Sequence, residues 1–218
     1  MTNEAIANAL REAAAHAVQL QMALVNRQRA LYEFDETATR GKDGRTSPAV
    51  IVDQAEDIRR SVVQDVEVHL VPIVQAIADS DRVVSPLIDH VPLDEAKQLA
   101  RDLMLLIKES REAAANLGYV EAALSRTSQL VPSNPHPISI ARVTADEATD
   151  AMERARRSVY NLTEYLASLA EKFADGPSAA PPVKLASAAP LRKVGQHEEK
   201  LKALSVTRSA EPGRAVAR

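Results

Sequence analysis

The sequence predicts an all-α protein. The expected architecture is an elongated antiparallel four-helix bundle with coiled-coil-like heptad packing over residues 1–175, followed by a disordered, basic, Pro/Ala-rich tail over 176–218. Three observations carry this. Apolar residues recur in alternating steps of three and four along four separate segments, the period of helices packed along their length. Only six glycines occur in 218 residues, and aromatics make up 3%, a composition poor in the turns and β-rich runs of sandwiches and doubly wound sheets. At Gly176 the periodicity stops and a Pro/Ala-rich stretch begins.

In the first segment Ile6, Leu10, Ala13, Ala17, Leu20, Leu24, Leu31, Phe34 and Ala38 form the stripe, with Arg27 in its one polar slot. Thr39 to Ser47, with two glycines, reads as the first loop. Ser47-Pro48 is a helix start, a hydroxyl cap followed by proline in the first turn. Ile51, Ala55, Ile58 and Val62 keep the rhythm, and then the register becomes ambiguous. Strict heptads would bury Asp65 and His69; a slip of one residue buries Val66, Leu70, Ile73 and Ile77 instead. Burying ionisable groups without partners is costly, so the slip is expected to win. Pro72 should kink or interrupt the helix, and Ser80 to Val91 reads as a connection or short helical turn.

Pro92, followed by Asp94 and Glu95, opens the third helix, with acids where the helix dipole favours them. Its stripe runs Ala96, Leu99, Leu103, Leu106, Ser110, Ala113, Leu117, Val120, Leu124, Thr127, Val131, and Gly118 inside it points to a close helix approach. Pro132, Pro135 and Pro137 stiffen the next connection. Thr144 with Glu147 reads as a capping box, with Val143 as its staple, ahead of a stripe from Ala148 to Phe173. Asp175-Gly176-Pro177 stops this helix. Loops of about ten residues favour antiparallel neighbours. A competing arrangement, two hairpins that complete their core only in a dimer, stays open at this level.

Charge is unevenly divided. Residues 176–218 hold eight basic against three acidic side chains, a net of +5, which leaves −8 on the body of a chain whose total is −3. The absence of cysteine excludes disulfides, thiolate catalysis and Cys-based metal sites. No phosphate-binding loop, nucleophile elbow or H-E-x-x-H pattern occurs, and the five histidines are not at metal-ligand spacing from one another. No cofactor or metal is expected. Asp65 and His69, four residues apart, read as an exposed ion pair rather than a metal or acid–base pair. Arg27 is expected to reach the bundle edge or to pair with a carboxylate of a neighbouring helix, such as Asp57.

With heptad slots nearly free of acids, bases and nucleophiles, the expected function is a non-enzymatic interaction protein: a scaffold, adaptor or assembly subunit. The alternatives are a nucleic-acid-associated protein or a ligand- or metal-binding bundle. Expected interaction residues are Arg154, Arg156 and Arg157 on the fourth helix and Arg192, Lys193, Arg208, Arg214 and Arg218 in the tail. A protein partner or self-association is expected, with nucleic acid or an anionic surface as the alternative for the tail. The N-terminus has no basic region followed by a leucine run, and no stretch reaches the roughly 18 apolar residues of a membrane span. A cytoplasmic location is therefore expected, with export by a specialised secretion system left open.

Overall fold

The computed structural model describes residues 3–40, 47–87, 93–133 and 136–174; the side chains of Leu87 and Ser133 are not among them. The tail expected at 176–218 lies outside the described residues. Four helical rods make an antiparallel bundle. The first is α1 (Asn3–Arg40). The second is built from α2 (Pro48–Asp65), a π-helical turn (Val66–Leu70) and α3 (Val71–Leu87). The third is α4 (Leu93–Leu130), ending in one 3-10 turn (Val131–Ser133), and the fourth is α5 (Pro137–Ala174). Three of these rods are single α-helices of 38 residues. Each is therefore about 57 Å long at 1.5 Å per residue.

The stripes of the sequence become the core. All nine apolar members of the α1 series are buried. So is the α4 series from Ala96 to Val131, apart from the partly covered Leu99. In α5 a broader face is buried, because Ala141, Ala145, Ala151 and Ala170 join the expected stripe. Small residues beside large ones let α5 pack against α1 on one side and α4 on the other, and these are the two longest interfaces of the bundle. One chain thus closes its own core, and the dimer-of-hairpins arrangement is not needed.

Polar ties fix the antiparallel register. Along the α4–α5 seam Asp102 meets Lys172, Glu109 meets Asn161, Asn116 meets Arg154 and Arg126 meets Glu147. Glu109 is buried; Asn161 Nδ2 donates to its Oε2 at 3.2 Å, and Lys108 Nζ stands 3.6 Å from Oε1. Across the α1–α5 seam Asp35 Oδ1 faces Arg142 Nε at 4.0 Å, beyond hydrogen-bond range, and neither atom has another partner.

Four sequence expectations change here. The second rod does not choose between strict heptads and a slip; it does both. The buried series runs Ile51, Ala55, Ile58, Val62, Asp65, then jumps five residues to Leu70 and continues Ile73, Ile77, Ser80, Val84. The extra residue is absorbed by the π turn, where the Val71 N–H donates to the Val66 carbonyl five residues back. Pro72, which lacks an N–H, follows immediately, so the widened turn sits beside the proline and the rod continues through it. Second, of the span Ser80 to Val91, Ser80 to Leu87 continues the helix and residues 88–91 lie outside the described residues; Ser80 is tolerated in the core because its Oγ donates to the Ala76 carbonyl at 2.7 Å. Third, Thr144 is not a cap. α5 begins seven residues earlier with Pro137 in its first turn, where a missing N–H costs nothing, and Thr144 lies in the helix interior. Its hydroxyl meets that of Thr127 at 2.5 Å, and the Ile140 and Ala141 carbonyls lie 3.0 Å away. Fourth, Gly118 makes no close approach: a Cβ there would have open space around it. The Ser47 cap forms as expected, with the Val50 N–H donating to Ser47 Oγ at 3.5 Å.

Candidate functional site

The π turn gathers the polar residues that the stripe pattern would otherwise expel. Arg27 pairs with Asp65, not Asp57: its Nε donates to Oδ2 at 2.8 Å and its NH2 to Oδ1 at 3.4 Å. Asp57 points outward and pairs with Arg60. Asp65 sits two turns further along and inside the stripe, where an arginine from α1 can reach it. The expected exposed Asp65–His69 pair therefore does not exist. His69 instead faces His16, Nδ1 to Nδ1 at 3.4 Å, one ring donating its N–H and the other accepting. The ring centroids are 5.7 Å apart. Among the described residues no three His, Asp or Glu side chains converge on a point.

Arg59, on α2, clamps two acids. It stands 2.7 Å from Glu56 on its own helix and 3.2 Å from Glu121 on α4. Its hydrogen bond to Glu56 raises the guanidinium pKa, and the same bond holds the Glu56 carboxyl below the usual carboxylate range.

The arginines singled out on α5 have different partners. Arg154 Nε donates to Asn116 Oδ1 on α4 at 3.0 Å. Arg156 donates to Gln28 Oε1 on α1, in the opposite direction. Arg157 is exposed and lies 3.9 Å from Glu153. Residues two apart on a helix point about 200° apart, so Arg156 faces away from Arg154, whereas Arg154 and Arg157, three apart, share one face. Arg192, Lys193, Arg208, Arg214 and Arg218 lie outside the described residues.

A different surface stands out. On α3, Val71, Val74, Ala78 and Asp81 follow steps of three, four and three, out of phase with the core stripe. On α4, Met104, Ile107, Arg111 and Ala114 do the same. Such residues share one helix face. Between the two rows lies a groove of about 330 Å³, lined by Val74, Ile77, Ala78, Asp81, Ile107, Ser110, Arg111 and Ala114. Val71, Val74 and Met104 are 55%, 42% and 69% exposed, a degree unusual for large apolar side chains in a row. The groove exists because α3 packs less closely on α4 than α2 does, beyond the π turn. Within the rod Pro48–Pro86 an 18-residue window reaches a mean hydropathy of 1.2 with 28% of it buried, long and apolar enough by composition alone to cross a membrane. The core stripe alone does not reveal this face. The off-phase apolar residues at 68, 71 and 74 were the available signal.

No family model matches the chain, and no curated protein or solved structure matches it at significance.

Proposed function

We propose that this chain is a non-enzymatic helical-bundle interaction protein, a scaffold, adaptor or assembly subunit, and that it recognises its partner through the α3–α4 face. The observation that supports this reading is the groove with its two flanking rows. It has the spacing of a helix-packing seam, yet nothing in the described chain fills it. An amphipathic helix with apolar residues at matching steps is the complementary shape. The buried acids Asp65 and Glu109, by contrast, are held by partners on other helices, as in Arg27–Asp65 and Glu109–Asn161.

Photo-crosslinking side chains placed at Val74 and Met104 in the producing cells test this reading, with Tyr119 and Val143 as exposed controls. Discrete adducts are expected at the first two positions and not at the controls. Repeating the capture without residues 176–218 separates a contribution of the basic tail from that of the groove. Equal labelling at all four positions, or none at Val74 and Met104, refutes the reading.

A further inference from the structure

We infer that the occupant of the α3–α4 groove is the same groove of a second copy of this chain, related by a two-fold axis. The inference rests on the interaction reading above and specifies its partner. Three observations lead to it.

The first is spacing. To fill a seam of three- and four-residue steps, a partner must carry the same spacing. The rows Val71, Val74, Ala78, Asp81 and Met104, Ile107, Arg111, Ala114 carry it already.

The second is charge. The groove holds one acid, Asp81, and one base, Arg111. Asp81 accepts a hydrogen bond from Ser85 Oγ at 3.0 Å, and among the described residues no cation pairs with it. Arg111 likewise has no acid within ion-pairing distance among the described residues. The neighbouring charges are already committed: Arg82 to Asp79, and Lys108 to Glu109 and Glu112. A two-fold contact is self-complementary, so whatever residue i meets at j, j meets at i. Two such grooves face to face place each Asp81 opposite the other copy's Arg111, and both uncommitted charges are satisfied twice over.

The third is geometry. The second rod and α4 run antiparallel, with Arg59 of α2 tied to Glu121 of α4, and Ile77 of α3 and Ser110 of α4 both line the groove. Ala78 and Ala114 are among the groove's lining residues. Small side chains there let a second α3 approach closely without the overpacking that larger residues would cause.

Sedimentation equilibrium on the full chain gives the test, with single charge reversals as the decisive arm. Wild type is expected to dimerise. Asp81→Arg and Arg111→Asp should each weaken the dimer by about tenfold or more, since each places like charges across the axis. Mixing the two variants should restore association to within about threefold of wild type, because each is then complementary to the other. That rescue cannot come from an effect inside one chain. Circular dichroism confirms that each variant keeps its helices, and Val74→Asp gives a second disruption that does not depend on the charge pair. A chain that stays monomeric to about 500 μM overturns the inference, as does a dimer unaffected by Val74→Asp or a mixture that fails to reassociate. Co-sedimentation of a monomer with anionic vesicles would overturn it in favour of a lipid surface. Val74-dependent adducts in cells from a chain that does not dimerise would overturn the second copy and leave the interaction reading standing.

Discussion

Replacing Arg27 and Asp65 singly and together tests how the polar slot of the α1 stripe is stabilised. The two side chains are unequally covered: that of Arg27 is 30% exposed and that of Asp65 is 10% exposed. At 2.8 Å the gross attraction is roughly 4–6 kcal/mol with an effective dielectric near 20, largely offset by the cost of removing both charges from water. What each single replacement reveals is therefore the charge it strands. Arg27→Leu leaves a carboxylate inside the bundle with no cation, and should cost about 3–5 kcal/mol. Asp65→Leu leaves a guanidinium that can swing to the nearby edge along its flexible stem, and should cost only about 1–2 kcal/mol. The double replacement extends both apolar stripes and should lie within about 1 kcal/mol of wild type. Urea unfolding followed by circular dichroism at pH 7 gives all three values, with an unchanged m-value showing that the same surface is exposed each time. A coupling energy of at least about 2 kcal/mol is expected. Additive effects within about 0.5 kcal/mol, or a larger loss for Asp65→Leu than for Arg27→Leu, would refute this account of the pair.

Four further outcomes are expected. Leu103→Ala and Leu166→Ala, both in the core, should each destabilise by about 2–5 kcal/mol, and a loss below about 0.5 kcal/mol at both would mean the stripes face the wrong way. Gly118→Ala should raise stability by about 0.5–1 kcal/mol, since the added methyl meets nothing and the helix gains a better former; a drop in melting temperature would contradict the open space seen there. Thr127→Val with Thr144→Val should cost less than the two single changes added together, because the hydroxyls are each other's partner; strictly additive losses would count against the buried pair. Glu56 titrates lower in the folded chain than when unfolded, so on acidification the unfolded state takes up its proton first. Its contribution is present above about pH 4.3 and lost as pH falls further, and Glu56→Gln should flatten the stability profile only in that acid window.

Much of the fold was legible because one physical rule, burial of a periodic apolar face, dominates a long helix. It placed Ile6 to Ala38, Leu103 to Val131 and Ala148 to Phe173 correctly. It failed where a second rule competed. At Asp65 the penalty for burying a charge is offset by a partner 38 positions away in sequence. At Thr144 a local capping pattern was outweighed by Pro137 and the apolar residues after it, which extend the helix backwards. Arg154, Arg156 and Arg157 are near in sequence, and helical geometry turns Arg156 toward α1 while Arg154 reaches α4. The groove was hardest to read, since it depends on how far α3 stands from α4, which no spacing within one helix reveals.

The π turn has a consequence for how the chain tolerates changes in its own length. One residue added to a regular helix rotates everything beyond it by about 100°. In the second rod that would carry Ile73, Ile77, Ser80 and Val84 out of the core together. Instead the disturbance is contained within Val66–Leu70, and both halves of the rod stay in phase with the bundle. The segment acts as an expansion joint. Removing one residue there exchanges a π turn for an α turn and keeps both stripes aligned, whereas the same edit midway along α1, α4 or α5 would strip half a helix of its buried face. Pro72 marks the far side of the joint, and the groove face begins at its edge with Val71. Removing one residue from this segment therefore keeps both that face and the other three rods in phase.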